Sequence, residues 1–445
     1  MVVISATLWA PIAVAVAALV AFFFDVSPRL GRFAPYWGVL GSLSATALVL
    51  HSRLDLGEGF YWDSSASILG AYLGLASAAV LLLLARHPLL RRMPGAFTGL
   101  CLSVLLGSLL LVGSDELIGI FIGLELQVLP FFALFAWPGS ARRSLEAAMK
   151  YALLAALASA LFALGIALIY LGNGDLALNP PLGPIDGTFA ARLGFILLLA
   201  ALGFELAVAP FHAWVADIYA GAPTPALLYL GAVGKVAIMG VLINLAGVSG
   251  TWLLPYLALA VLSIVIGNVL AWRTRSFRRM LGYSAVSHAG YFFAALAAGP
   301  LGLIIATFYA VVYGLMHLGV FGPLLSLPEG MDEIPWRHLR QQAPLAAGLL
   351  AVSLLSLAGM PPTLGFFVKL GVLVADIHAQ VWGLAVVLIL GSALSFAYYL
   401  PSLWRTPHEQ RSLALWHSPV LRLYAAAGML LLGFGWLLFP FFFGG

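Results

Sequence analysis

The stretch ALGFELAVAPFHAWVADIYAGAPTP, residues 201–225, starts as an apolar helix. It then places Glu205, Pro210, His212, Trp214, Asp217, Pro223 and Pro225 where a membrane span would continue. In hydrocarbon every backbone N–H and C=O must find a partner inside the protein. A helix break at that depth is therefore tolerated only within a bundle or against a hydrated cavity. An ionisable group at the same depth is costly and marks function by default. An acid beside a helix breaker reads as a hydrated point on an ion route.

The rest of the chain fits a membrane protein. Of 445 residues, 63% are hydrophobic and 9% charged, against roughly 25% charged in soluble domains; the mean hydropathy is +1.05. Apolar runs of span length recur near 4–24, 34–51, 66–85, 97–113, 117–137, 146–171, 191–210, 223–246, 252–272, 278–298, 301–326, 343–375 (interrupted), 379–402 and 420–443. The expectation is an all-α polytopic integral membrane protein of about fourteen transmembrane helices. The first run has no basic flank and reads as a retained helix rather than a signal peptide. The one cysteine, Cys101, forms no internal disulfide, and the sequence holds no metal or iron–sulfur spacing. The net charge of +4 reports topology, with the lipid bilayer and not nucleic acid as the partner.

Sixteen of the eighteen arginines, from Arg29 to Arg422, fall in odd-numbered connections, and only Arg53 and Arg192 fall in even ones. Basic loops stay cytoplasmic, so the chain is expected in the cell (plasma or inner) membrane with both termini outside. Arginine is read throughout as a surface charge. The three lysines, Lys150, Lys235 and Lys369, instead lie in apolar segments. A desolvated lysine can lose its proton where arginine does not, so it suits a relay. Glu125 and Glu205 are deep acids, and His288 and His317 are mid-span beside Tyr283, Ser284, Ser287 and Tyr313. Asp115, Glu116, Asp175 and Asp186 read as solvated loop acids, and Glu146 and Asp376 as acids at helix ends that could cap them. His212 and Asp217 alone would be the basis of an intramembrane enzyme, but no nucleophile or metal set accompanies them.

A second break lies in SLAGMPPTLGFFVKL, residues 356–370, at Pro361 and Pro362. The two breaks are five spans apart. An odd number gives two five-helix units of opposite topology, and matched interrupted spans in inverted units point to an ion path. The expected organisation is residues 1–95 as three leading helices, 96–248 and 249–402 as the two inverted repeats, each containing a broken helix, and 403–445 as a last helix.

The segments APFHAWVADIYAGAPTP and GKVAIMG, with NVLAWRTRSFRRMLGYSAVSHAGYFFAAL, MHLGVFG and LAGMPPTLGFFVKL, resemble the family of antiporter-like membrane subunits of respiratory complex I. Mrp-type cation/proton antiporters and membrane-bound hydrogenases share that family, and the motifs are most similar to its subunit N branch. The resemblance runs from about residue 95 to 400. It implies a proton-translocating subunit of an NADH–quinone oxidoreductase, a redox-driven translocase, with other antiporter-like and small membrane subunits as partners. NADH, FMN, iron–sulfur clusters and quinone would belong to partner subunits, with no cofactor in this chain. The implied proton path takes Glu125, Lys150, Lys235 and Lys369. The family also carries a lysine before the PFH break, where this sequence has Glu205. That departure leaves open an Mrp-type or hydrogenase host, or a non-pumping scaffold. The path read from the residues is Glu125, Lys150, Glu205, Lys235, His288, His317 and Lys369, with Pro210, His212, Pro361 and Pro362 at the breaks. Glu205 is expected to approach Lys235, the alternative being that it caps backbone groups freed by Pro210.

Overall fold

The computed structural model describes residues 6–52, 63–137, 142–178, 188–248, 253–327, 333–403 and 419–438. Arg53, Asp186, Arg405 and Arg411 lie outside them. Among the described residues the fold is helical apart from one antiparallel bridge between Glu116 and Ala177. Among the described residues fourteen helical passes follow in chain order. The first six are α1 (Trp9–Phe23), α2 (Ala34–His51), α3 (Ser64–Leu84), α4 (Pro94–Gly113), α5 (Leu117–Phe135) and α6 (Arg142–Asn173). The seventh is broken into α7a (Phe189–Leu206) and α7b (Val215–Gly221). The eighth, α8, joins Thr224–Tyr229 to Lys235–Val248 through a π-helical turn at Leu230–Gly234. Then come α9 (Leu253–Arg273), α10 (Phe277–Ala297) and α11 (Gly299–Leu324). The twelfth is broken into α12a (Pro344–Ala358) and α12b (Leu364–His378), before α13 (Trp382–Ser402) and α14 (Pro419–Phe434).

Ten of the described helices are long and apolar enough to cross a membrane, and Pro344–Ala358 and Pro419–Phe434 are shorter apolar helices. The other two passes, α2 and α10, have 18 and 21 residues and carry more polar side chains. Continuous runs of Leu, Ala, Val and Ile become helices because only a helix satisfies its own backbone within one segment of a bilayer.

The chain divides into two compact units, Met1–Leu206 with Tyr229–Leu253, and Ala207–Leu228 with Leu254–Gly445. Small residues set the packing within the first. A Cβ on Gly107 of α4 would lie 2.6 Å from Gln127 N and Gly123 O of α5, so the two helices meet backbone to backbone, as small residues allow in membranes. The eighth pass is buried along its length, whereas α6 is only 28% buried. In the second unit α10 packs on α7b, and α12b packs on α11.

Candidate functional site

The last four carbonyls of any helix lack intrahelical partners, and the two half-helices α7a and α12a end inside the protein. Their carbonyls show how each site is built. At α12a, Gly359 turns left-handed at φ 84° and the amides of Gly359 and Met360 return to Leu355 O at 3.1 and 3.0 Å. The final two carbonyls, Leu357 O and Ala358 O, accept from the Lys369 amine at 2.9 and 3.1 Å. Ser395 Oγ also donates to Ala358 O at 3.0 Å. Glycine suits this turn because a side chain is strained at that φ, and a Cβ there would sit 2.9 Å from Lys369 Cδ. At α7a, Lys235 Nζ donates to Leu206 O, the last residue of the half-helix, at 3.1 Å. Beyond the break, Ala209 N donates to Ser263 Oγ of α9 at 2.9 Å.

Each break thus presents the negative end of a helix dipole to a lysine. A cation at a helix C-terminus is stabilised there, and the ammonium form also fills the freed carbonyls. Lys235 is 1% exposed and Lys369 8%. The lysines come from different places: Lys235 from the next pass, Lys369 from the second half of the same pass. The Ala209–Pro210 and Pro361–Pro362 peptide bonds are both cis.

Glu205, on the last turn of α7a, is buried, and its carboxylate accepts from Tyr151 O–H at 3.1 Å. It lies within Coulombic range of Glu125 and Lys235. Lys235 therefore binds the carbonyl of the residue that follows Glu205, while the freed backbone is taken by Lys235 and Ser263. Glu125, half-buried on α5, accepts from Ser159 Oγ. Lys150 turns the other way. It is exposed and pairs with Glu146 at 2.9 Å on its own helix, and the next residue, Tyr151, points inward instead. One residue of helix is a 100° rotation.

In the second unit His288 Nδ1 shares a hydrogen bond with Tyr309 O–H at 2.7 Å. His317 Nδ1 lies 3.1 Å from Tyr313 O. A carbonyl only accepts, so Nδ1 carries a proton, and Nε2 shares a hydrogen bond with Tyr219 O–H at 3.2 Å. Tyr309, Tyr313 and His317 follow at i, i+4 and i+8 on one face of α11. His212, after the first break, is half-buried, and its Nδ1 has no partner among the described residues. Asp217 pairs with Arg279 at 3.1 Å. Pro361 borders a cavity of about 330 Å³ that also touches Lys369, Tyr291 and Ser392. Lys369 Nζ stands 4.7 Å over the Tyr291 ring. No cluster of three or more His, Cys, Asp or Glu able to hold a metal occurs among the described residues.

Three readings of the sequence need correction. Arginine is not only a surface charge: Arg278 is buried, and donates to Tyr219 O at 2.8 Å and Ala222 O at 2.6 Å, capping the end of α7b. Asp376 does not cap α12b, because the backbone does so through Val381 N to Asp376 O at 2.9 Å; its side chain is fully buried. Asp115 is not simply solvated, since its Oδ1 is buried without a partner among the described residues. Burial pushes its carboxyl above the usual range. Residues that sequence reasoning missed include Tyr151, Ser263 and Gln127. Gln127 Nε2 donates to Gly234 O, in the π turn just before Lys235, at 3.3 Å. Asn268 joins Ser287 Oγ and Tyr398 O–H at 2.8 and 3.0 Å. The signal available for several of these was a lone amide or hydroxyl inside an apolar span.

The family model described as NADH:quinone oxidoreductase/Mrp antiporter, TM, matches residues 114–395. NADH-quinone oxidoreductase subunit N of Ectopseudomonas mendocina (strain ymp) is 39% identical over 326 residues, covering 69% of this chain and 66% of that one. The chain thus aligns with just under two thirds of that relative's length. A chain of respiratory complex I from Thermus thermophilus with bound Aureothin is 31% identical, covers 95% of this chain and 96% of its own, and gives a TM-score of 0.83. A chain of the Mrp complex from Dietzia sp. DQ12-45-1b shares the fold, at 20% identity, coverage of 99% and 97% and a TM-score of 0.85. The chain belongs to the NADH:quinone oxidoreductase/Mrp antiporter transmembrane family.

Proposed function

We propose that this chain is a proton-translocating membrane subunit of a complex I-type NADH–quinone oxidoreductase. It moves protons through buried Glu, Lys and His side chains and is driven by redox chemistry in partner subunits. The observation that carries the reading is the pair of buried lysines, each on the terminal carbonyls of a half-helix at a break. When such an ammonium releases its proton, the carbonyls lose a charged donor. When it takes one, the helix dipole holds the charge. A lysine so placed has two states that differ in how firmly the break is closed, which suits a relay group that water reaches intermittently. Glu205, one residue from the carbonyl that Lys235 binds, is the acid placed to exchange with it. In this reading NADH, FMN, iron–sulfur clusters and quinone are held by partners, and the chain sits in the cell membrane with its arginine-rich loops inside and both termini outside.

The test is to purify the complex that contains this chain, identify its subunits, and reconstitute it. Redox subunits with iron–sulfur cysteine motifs should copurify, and NADH oxidation by a short-chain quinone should acidify the vesicle lumen in sodium-free buffer. A purified complex without redox subunits, moving protons only against sodium, would place the chain in an antiporter instead. That second reading rests on one observation, the acid at Glu205 where the complex I pattern has a lysine.

A further inference from the structure

Asp376 is the buried acid that the relay described above does not use. Its side chain is 0% exposed, and neither carboxylate oxygen has a hydrogen-bond partner among the described residues. It does not serve the helix end, which the backbone already closes, and a carboxylate at a helix C-terminus is opposed by the dipole. An ionised carboxylate without donors is strongly disfavoured in a protein interior. The group is therefore stable only while it carries a proton or while water reaches it.

Its position suits both conditions. Asp376 follows Lys369 by seven residues, two helical turns, so both lie on the buried stripe of α12b with Val368, Val372 and Ala375. The separation along the axis is about 10 Å. A Cβ on Gly371 would stand 3.0 Å from Ile305 on α11, which runs antiparallel as the preceding pass. Five residues further, Asp376 is level with the first turn of α11, where Gly299 and Pro300 are exposed. On its own helix, Ile377 and His378 are exposed. Lys369 is thus at the mid-membrane break, and Asp376 is one turn beneath the surface on which α12b ends. By the arginine distribution that surface is the outer one.

We infer that Asp376 is the carboxylate through which protons pass from Lys369 to the surface where α12b ends. This inference rests on the proton-translocating reading above. In the step, an N–H bond of the Lys369 ammonium breaks and leaves a neutral amine. The proton crosses on intervening water and forms an O–H bond on the Asp376 carboxylate. That O–H bond then breaks to water at the outer surface, and the carboxylate is restored.

The experiment uses the reconstituted complex turning over NADH and a short-chain quinone, with lumen acidification, quinone reduction and carboxyl infrared bands recorded together. Asp376→Asn should assemble, keep uncoupled quinone reduction, and slow the proton step through this chain about 100-fold or more. Asp376→Glu should restore pumping, and the band of the protonated carboxyl should vanish in Asn and shift in Glu. Wild-type pumping in Asp376→Asn, while Lys235→Ala loses it, overturns the role of Asp376 and leaves the proton-translocating reading standing. Wild-type pumping in both variants overturns both. Equal loss in the assembled Asn and Glu variants assigns Asp376 to packing and overturns the inference. If the Asn variant does not assemble, Asp376→Glu decides: pumping with a shifted band supports the inference, and an unmoved band overturns it.

Discussion

Replacing Glu205 by glutamine separates the fold from the proton path. Gln keeps the shape and can still accept from Tyr151 O–H, now to a neutral oxygen instead of the 3.1 Å contact to a carboxylate. Charged hydrogen bonds contribute about 1.5–3 kcal/mol and neutral ones about 0.5–1.5, so the loss is at most about 1–2 kcal/mol. A typical folding margin is about 5–15 kcal/mol, and the complex should assemble with slightly lower thermal stability. Leucine at the same place removes the acceptor from the buried Tyr151 hydroxyl altogether, a further cost of about 1–3 kcal/mol. Lysine restores a titratable group and the family pattern, with Tyr151 O accepting in place of donating. The expected order of pumping per NADH oxidised is wild type, then Lys, with Gln and Leu lowest. The expected order of thermal stability places Leu last. Pumping is read by dye quenching in proteoliposomes and stability by the unfolding midpoint of the purified complex. If Glu205→Gln pumps at the wild-type ratio, Glu205 is no relay and serves only to hold Tyr151.

Arg278→Leu removes the charged donors to Tyr219 O and Ala222 O and should cost about 3–5 kcal/mol. Thermal unfolding checks it, and an unchanged midpoint would show that the α7b cap is dispensable. Gly359→Ala forces a side chain into φ 84° and against Lys369. The backbone term alone is about 1–2 kcal/mol, yet pumping should fall more than stability does, because the Cβ displaces the relay amine; a fall in stability alone would refute this. The 274–276 connection should face the cytoplasm. Cys101, the only cysteine, is buried, so a cysteine placed at Arg275 can be labelled cleanly. Modification by an impermeant maleimide from the outer side would invert the topology.

The breaks were legible because their prolines fall beside ionisable groups: Pro210 and Pro361–Pro362 mark both interruptions to within a few residues, whereas Pro130 continues inside α5. The depth of Lys235 and Lys369 was legible from the same runs, since nothing else polar surrounds them. The rotation of α6 was not legible. Lys150 and Tyr151 are neighbours in an apolar run, and hydropathy does not say which of them faces Glu205. The π turn at Leu230–Gly234 leaves no mark in composition, although it sets the direction of Lys235. Arg278 sits in a basic cluster, RTRSFRR, and only the arrival of the α7b carbonyls separates it from its neighbours. Asp376 looked like an ordinary helix-end acid because its burial depends on the passes packed against α12b, which hydropathy along the chain does not carry. Spacing along the chain carries depth, and contacts between passes carry partnership.

The central claim is that buried lysines at the two breaks belong to a working proton path. The most direct measurement is the number of protons moved per electron by the reconstituted complex carrying Lys235→Ala, with quinone reduction measured in the same vesicles in the presence of uncoupler. A fall in that ratio, with assembly and uncoupled quinone reduction intact, is the predicted result. A wild-type ratio in a fully assembled Lys235→Ala complex would contradict the account.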